Sequence, residues 1–241
     1  MSAAGGMLEG MYRERAVPGT GVVVWTRTVP AGQTVGRILP DGCMDIVWAD
    51  GVLLVAGPDT VAQLDTTHPG ARYAGVRFAP GLAPTMLGVP AAELRDQRVP
   101  LSALWPDGRV RAVGERVGDA GDPAEALASV ALGLLRRSNA PDPVVTAIAS
   151  LSRSGAPVAA IADRVGLSER QLHRRSLTAF GYGPKTLTRI LRMTRAVDLA
   201  RTGTPFATVA AATGYADQAH LARDVRSLTG EALRRLVGRG G

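Results

Sequence analysis

Over residues 12–78 the apolar positions come in short runs rich in β-branched and aromatic side chains, at 21–25, 35–39, 43–48, 51–57 and 71–78. The clusters PAGQ, PDG, ADG and THPG separate them, each built from turn-forming residues. This pattern predicts short strands in a sandwich or half-barrel. After Phe78 the period lengthens. GLAPTMLG, PAAEL and VPLSALWP read as helical turns, and longer helices are expected at about 109–117 and 123–137.

From Pro157 to Leu236 the pattern is helical throughout and one unit occurs twice. In the first copy Val158, Ile161 and Ala162 supply an apolar face, Gly166 permits a reversal, and Ser168 with Gln171 forms a capping-box pattern. In the second, Val209 and Ala212 lead to Gly214, and Asp217 stands at the cap position. Each unit is a short helix, a glycine turn and a polar helix bearing arginine, the helix-turn-helix pattern whose second helix can enter a DNA major groove. Between them Pro184 suits a first helical turn, and Leu187, Ile190, Leu191 and Val197 recur at helical spacing. A helix from Pro184 to Thr202 spans about 28 Å at 1.5 Å per residue. That is close to the roughly 34 Å between successive turns of the groove.

Charge is divided along the same line. Residues 157–241 carry 14 Lys and Arg against 6 Asp and Glu, while the chain as a whole has 28 against 21. The first 156 residues are therefore close to neutral and the positive charge is collected in the helical part, which favours phosphate contact and counterion release. Lys185, Arg189, Arg192 and Arg195 fall on one side of the connecting helix, and that stripe is expected to face the DNA backbone or an acidic partner surface. The single cysteine, Cys43, excludes an internal disulfide and a Cys-cluster zinc site. Without a long apolar run or a basic-then-apolar leader, a soluble cytoplasmic protein is expected, with no membrane partner.

The segments GLSERQLHRR, GYGPKTLTRILRMTRAVDLAR and GYADQAHLARDVRSLTG resemble the DNA-binding domain of the AraC/XylS family of transcription regulators. That domain is two helix-turn-helix units joined by a long helix, and the resemblance covers about the last hundred residues. This chain departs at Ser176, Leu221 and Val225, where the family usually has Phe, and at Ala232, where Pro is frequent; Leu177 and Phe180 are available to refill the first core. ILPDGCMDIVW and GVRFAPGLAPTMLGVPAAELRDQRVPLSALW resemble the cupin-like N-terminal domain that precedes such readers in a subset of the family.

The fold class implied is α+β: a β-rich cupin-like sensor or dimerisation domain over 1–106, a helical connector over 107–140, and an all-α double helix-turn-helix domain over 141–241. The function implied is sequence-specific regulation of transcription through two adjacent major-groove segments of double-stranded DNA. RNA polymerase and a small-molecule effector are the further partners such a regulator can have, as a monomer or a homodimer. By the resemblance, base-reading positions fall on Arg170, His173 and Arg174, and on Gln218, Ala219, His220 and Arg223. Arginine can fork onto guanine, glutamine onto adenine, and Ala219 can touch only a thymine methyl. Lys185, Arg189 and Arg192 are expected on phosphates.

In the β domain Trp25, Asp45, Trp48, Tyr73 and Arg77 are candidates to line a ligand pocket, against ordinary core filling and a structural Asp45–Arg77 pair. Catalysis is not visible. A metal-dependent cupin needs clustered histidines, and the chain has only His68, His173 and His220. No triad, phosphate loop or paired catalytic carboxylates stand out, so no metal, cofactor or enzymatic activity is expected. A small-molecule-binding protein with a helical protein-docking tail remains the alternative.

Overall fold

The computed structural model describes residues 12–32, 35–66, 68–138 and 140–238. Strands β1 (Arg13–Val17), β2 (Val22–Thr28), β3 (Val35–Ile38), β4 (Met44–Ala49), β5 (Val52–Ala56), β6 (Gln63–Thr66) and β7 (Arg72–Phe78) lead to the short helix α1 (Ala83–Leu87) and to β8 (Arg98–Pro100). Helices α2 (Asp107–Gly118) and α3 (Pro123–Arg137) follow. The chain then continues as α4 (Pro143–Ser154), α5 (Val158–Arg164), α6 (Glu169–Phe180), α7 (Pro184–Arg201), α8 (Phe206–Thr213), α9 (Gln218–Thr229) and α10 (Leu233–Gly238).

Six strands form one antiparallel sheet in the order β1-β2-β7-β4-β5-β8, and β3 pairs with β6 in a separate two-stranded sheet. The two-residue alternation of side chains divides the large sheet into two faces of different chemistry. One face carries Val22, Val24, Met44, Ile46, Val55, Val76 and Phe78, which pack with Leu127, Ala131 and Leu134 of α3 into the first core. The other carries Trp25, Arg27, Asp45, Leu54, Tyr73 and Arg77, which surround a cavity. Trp48, expected in that cavity, points instead with Met44 and Ile46 towards the helices and packs against the first core. Its position two residues from Ile46 in an alternating strand places it there.

The second core is built around α7. Leu187, Ile190, Leu191, Met193 and Ala196 are almost fully buried, and Ile161, Leu172, Phe180, Val209, Leu221 and Val225 close on them from the flanking helices. Ser176 and Phe180 are both buried, Phe180 with its ring against Gly81, while Leu177 stays only partly buried. In α8 the apolar face is Val209 with Ala210 and Thr213, and Ala212 is exposed. Strands β1, β6 and β8 and helix α4 were not anticipated. The first is nearly all exposed, and β6 and β8 have only four and three residues, too few for a period to show.

Candidate nucleic-acid interface and cavity

Both helix-turn-helix units are closed by local hydrogen bonds. In the first, Gly166 takes φ +67°. Ser168 Oγ then accepts from Gln171 N, and Gln171 Oε1 accepts in return from Ser168 N at 2.9 Å, a complete capping box. In the second, Gly214 takes φ +79° and Asp217 Oδ1 accepts from His220 N at 2.6 Å. These caps set where each reading helix begins, and so which residues stand in its first two turns.

Helix α6 buries Leu172, Ser176, Ala179 and Phe180. Arg170 and Arg174 are exposed and, at 100° per residue, lie on the side opposite Leu172. His173 is also exposed but lies to the flank, with its ring over Gly183: a Cβ added to that glycine would meet the imidazole at 2.7 Å. Arg175 pairs with Asp142 at the start of α4, and burial of that carboxyl is outweighed by the Arg175 and backbone hydrogen bonds, which depress its pKa. A cleft of about 880 Å³ separates the β-domain segment 79–85 from α4 and α6, and Arg174 stands on its wall.

Helix α9 buries Leu221, Asp224, Val225 and Leu228. Gln218, Ala219, Arg223 and Arg226 are exposed, with Ala219, Arg223 and Arg226 opposite the buried seam. Arg226 was missed in the sequence, although it follows Arg223 by the three residues that keep two side chains on one helix face. His220 is half-buried, edge-on to Tyr215 with ring centroids 5.2 Å apart, and its Nδ1 accepts from Ala216 N at 3.4 Å.

The basic stripe of α7 separates into two parts. Lys185 is exposed. Arg189 Nε donates to Asp224 Oδ1 and its Nη2 to Ser227 Oγ at 2.9 Å. Arg192 donates to Asp224 Oδ2 at 3.3 Å and lies 4.1 Å over the Tyr215 ring, whose hydroxyl donates to the same carboxylate at 2.9 Å. Arg195 donates to the carbonyls of Arg153 and Ala212 at 2.7 and 3.3 Å. The three arginines thus tie α7 to α4, α8 and α9. At these positions of the expected phosphate-facing stripe a buried carboxylate and helix-end carbonyls lie within reach of the guanidinium groups. Burial, with the neighbouring Asp224 carboxylate, raises the Tyr215 hydroxyl well above its ordinary pKa.

In the β domain the alternate face of the large sheet and the two-stranded sheet β3–β6 border a cavity of about 170 Å³. Trp25, Asp45, Tyr73 and Arg77 all border it, as do Arg27, Asp65 and Tyr12. Trp25 Nε1 donates to Asp45 Oδ2 at 2.8 Å, and the indole lies flat across Gly75 of β7, its register partner, where a Cβ would meet the ring at 2.3 Å. Arg77 bonds Asp45 at 3.3 Å and Asp41 at 3.4 Å. Burial raises the Asp45 pKa against the pull of Arg77, and burial also opposes the Arg77 charge, but the two carboxylates hold its pKa above the ordinary value. Cys43 lies beside these groups with its thiol pushed up by burial. The parity that placed Trp25 on this face also places Arg27, a signal the sequence carried. Among the described residues no group of three or more metal-ligating side chains is gathered, and His68 pairs with Asp50 at 3.5 Å. No helix among them is long and apolar enough to cross a membrane.

Two capped helix-turn-helix units on one buried helix, behind a β-rich domain, define an AraC-type architecture. Residues 161–239 match the family described as Helix-turn-helix domain, and residues 22–100 match a Domain of unknown function (DUF6597). Residues 161–239 thus hold a helix-turn-helix domain of the AraC type. No curated protein matches the chain in sequence. Among solved structures, a ligand-free ToxT variant from Vibrio cholerae strain SCE256 is similar at a TM-score of 0.52 and 13% identity, covering 94% of this chain and 99% of that one. A second ToxT structure from Vibrio cholerae gives 0.51 at 10% identity, covering 95% and 99%. The C-terminal domain of AraT, a response regulator from Geobacillus stearothermophilus, gives 0.38 at 18% identity, covering 40% of this chain and 85% of that one. The ToxT likeness is one of fold and spans both domains.

Proposed function

We propose that the protein regulates transcription by binding a specific DNA sequence through α6 and α9, each entering one of two adjacent major-groove segments, under control of a small molecule held in the β domain. The observation that carries this reading is the repeated geometry: two capped helices on one buried rod, each with arginines on its outward face. Arg170, Arg174, Gln218, Ala219, Arg223 and the newly noted Arg226 are the base-reading candidates, and Lys185 the phosphate contact. His173 and His220 sit to the flanks, where imidazole can reach a phosphate more readily than a base edge. Trp25, Asp45, Tyr73 and Arg77 are the candidates for the effector site.

The protein acts in this reading as a non-enzymatic cytoplasmic regulator that signals to RNA polymerase, and two readers in one chain allow a monomer to bind specifically. Selection of fragments from a random DNA pool by the full-length protein tests it, followed by a salt series on the selected and on a random duplex. A tight selected site with a steep salt dependence supports the reading. Failure to enrich any sequence, together with retention that added salt does not weaken, rejects it in favour of a protein-docking tail.

A further inference from the structure

Each reading helix ends against the β domain. Helix α6 stops at Gly181, with φ +82°, and α9 at Gly230, with φ +71°. The last carbonyls of a helix have no partner inside it and carry the negative end of its dipole, so a guanidinium is favoured there. The β domain supplies one to each reader. Arg37 Nη1 of β3 donates to Thr229 O at 2.6 Å, and Arg95 Nη1 donates to Gly181 O at 3.3 Å.

Packing surrounds both contacts. On the α9 side Ala62 N donates to Leu228 O at 2.7 Å, and Arg37 also pairs with Glu231 at 3.8 Å. On the α6 side Gly181 lies so close to Pro58 and to the Ala91 carbonyl that a Cβ would meet them at 2.6 and 3.2 Å. That arm is tied internally: Gly57 N donates to Gln97 O at 2.9 Å, Asp96 N to Pro58 O at 3.2 Å, and Thr60 N to Asp96 Oδ1 at 2.7 Å. Between the two arms Gly42 sits over Leu187 and Leu191 of α7. Meanwhile Arg170, Arg174, Gln218 and Arg223 stay exposed, in the halves of α6 and α9 remote from the two arginines. The β domain therefore holds the readers by the ends that face away from base edges, the placement of a brace and not of a plug.

Resting on the reading of α6 and α9 as DNA readers, we propose that Arg37 and Arg95 are positioning residues that fix the distance between the two readers, and so the number of base pairs that must separate the two DNA segments. Helix α7 joins the readers on one side. The β domain joins their C-terminal ends on the other, and together they close a ring of contacts. Two linked binders reinforce each other only where geometry lets both engage at once, so the brace acts on spacing and not on contact with either segment.

The test uses the full-length protein with the duplex it selects from a random pool, with that duplex carrying one base pair inserted between its segments, and with one segment alone. The wild type is expected to bind the inserted duplex about tenfold or more weaker than the selected one. The Arg37→Gln/Arg95→Gln double variant is expected to bind the selected duplex about tenfold weaker, to bind the single segment as the wild type does, and to lose most of the insertion penalty. Without DNA, nitroxide labels on Thr178→Cys and Ala222→Cys, both exposed positions, in a Cys43→Ala background report the distance between the readers by pulsed electron resonance. Its distribution is expected to broaden in the double variant. An undiminished insertion penalty, equal weakening on the selected duplex and the single segment, or an unchanged distance distribution overturns the proposal. If circular dichroism shows the double variant unfolded, the two single variants are read in the same way. Should the wild type select no DNA sequence, the regulator reading falls and the distance measurement alone decides the brace; a selected sequence with an unchanged penalty removes only the brace.

Discussion

Asp224, buried on the second reading helix, accepts a hydrogen bond from Arg189 of the connecting helix, and it takes two more from Arg192 and from Tyr215. One carboxylate thus fixes α9 against α7 and against the turn that precedes it. Since α7 also carries α6 at its other end, this contact helps set the angle between the two readers.

Replacing Asp224 by Ala leaves two guanidinium groups and a phenol competing for no acceptor. Removing one partner of a buried pair costs about 3–5 kcal/mol, and the partial exposure of Arg189 puts the expected loss near the lower end. Urea unfolding measures it. Arg192→Ala is expected to lower stability without reducing the salt slope of DNA binding. A slope reduced by about one would return Arg192 to the phosphate contacts.

Arg174 and Arg223 are exposed on the outward faces of the two readers. Arg174→Ala should cost about 1–3 kcal/mol on the selected site and relax the base preference there. Competition between selected and random duplexes checks this, and an equal loss on both would remove Arg174 from base reading. Arg223→Ala should act likewise on the other half of the site.

Gly75 is the one residue type that leaves room for Trp25 across the strand. A methyl group in the Gly75→Ala variant would press on an indole 2.3 Å away. The ring must swing into the cavity and release Asp45, at an expected cost of about 1–3 kcal/mol. A lower thermal midpoint and an altered tryptophan emission spectrum are the readouts. Small-molecule binding to the β domain should be lost in the same variant.

Burial lifts the Asp198 carboxyl to about 6, against the pull of Arg201. A carboxyl with a higher pKa folded than unfolded keeps its proton better in the native state. Its contribution to stability therefore falls as pH rises from about 4, the unfolded value, and the penalty is complete above the folded one. Asp198→Asn should flatten the stability profile across that window. Urea midpoints at about pH 4 and pH 7 compare the two proteins.

The readers were legible because their determinants are local. Gly166, Ser168 and Gln171 act within one turn of chain, as do Gly214 and Asp217, and the buried positions of α7 follow from helical spacing alone. The strands of the large sheet were legible for the same reason, since alternation is read over five or six residues. Strand β1 escaped because its side chains are mostly solvated, and β6 because its four residues are stabilised by pairing with β3, across 24 residues of chain.

Local order along the chain was thus enough to specify a β-rich domain followed by two arginine-bearing readers on a rod, because caps, turns and hydrophobic period act between neighbours. It could not assign partners to the charges. Arg189 and Arg192 look alike in sequence whether they meet phosphate or Asp224, and Trp25 and Trp48 look alike as strand aromatics. Which carboxylate lies within reach, and which sheet face meets α3, depends on packing between segments far apart in the chain, so those choices are made only when the two cores close.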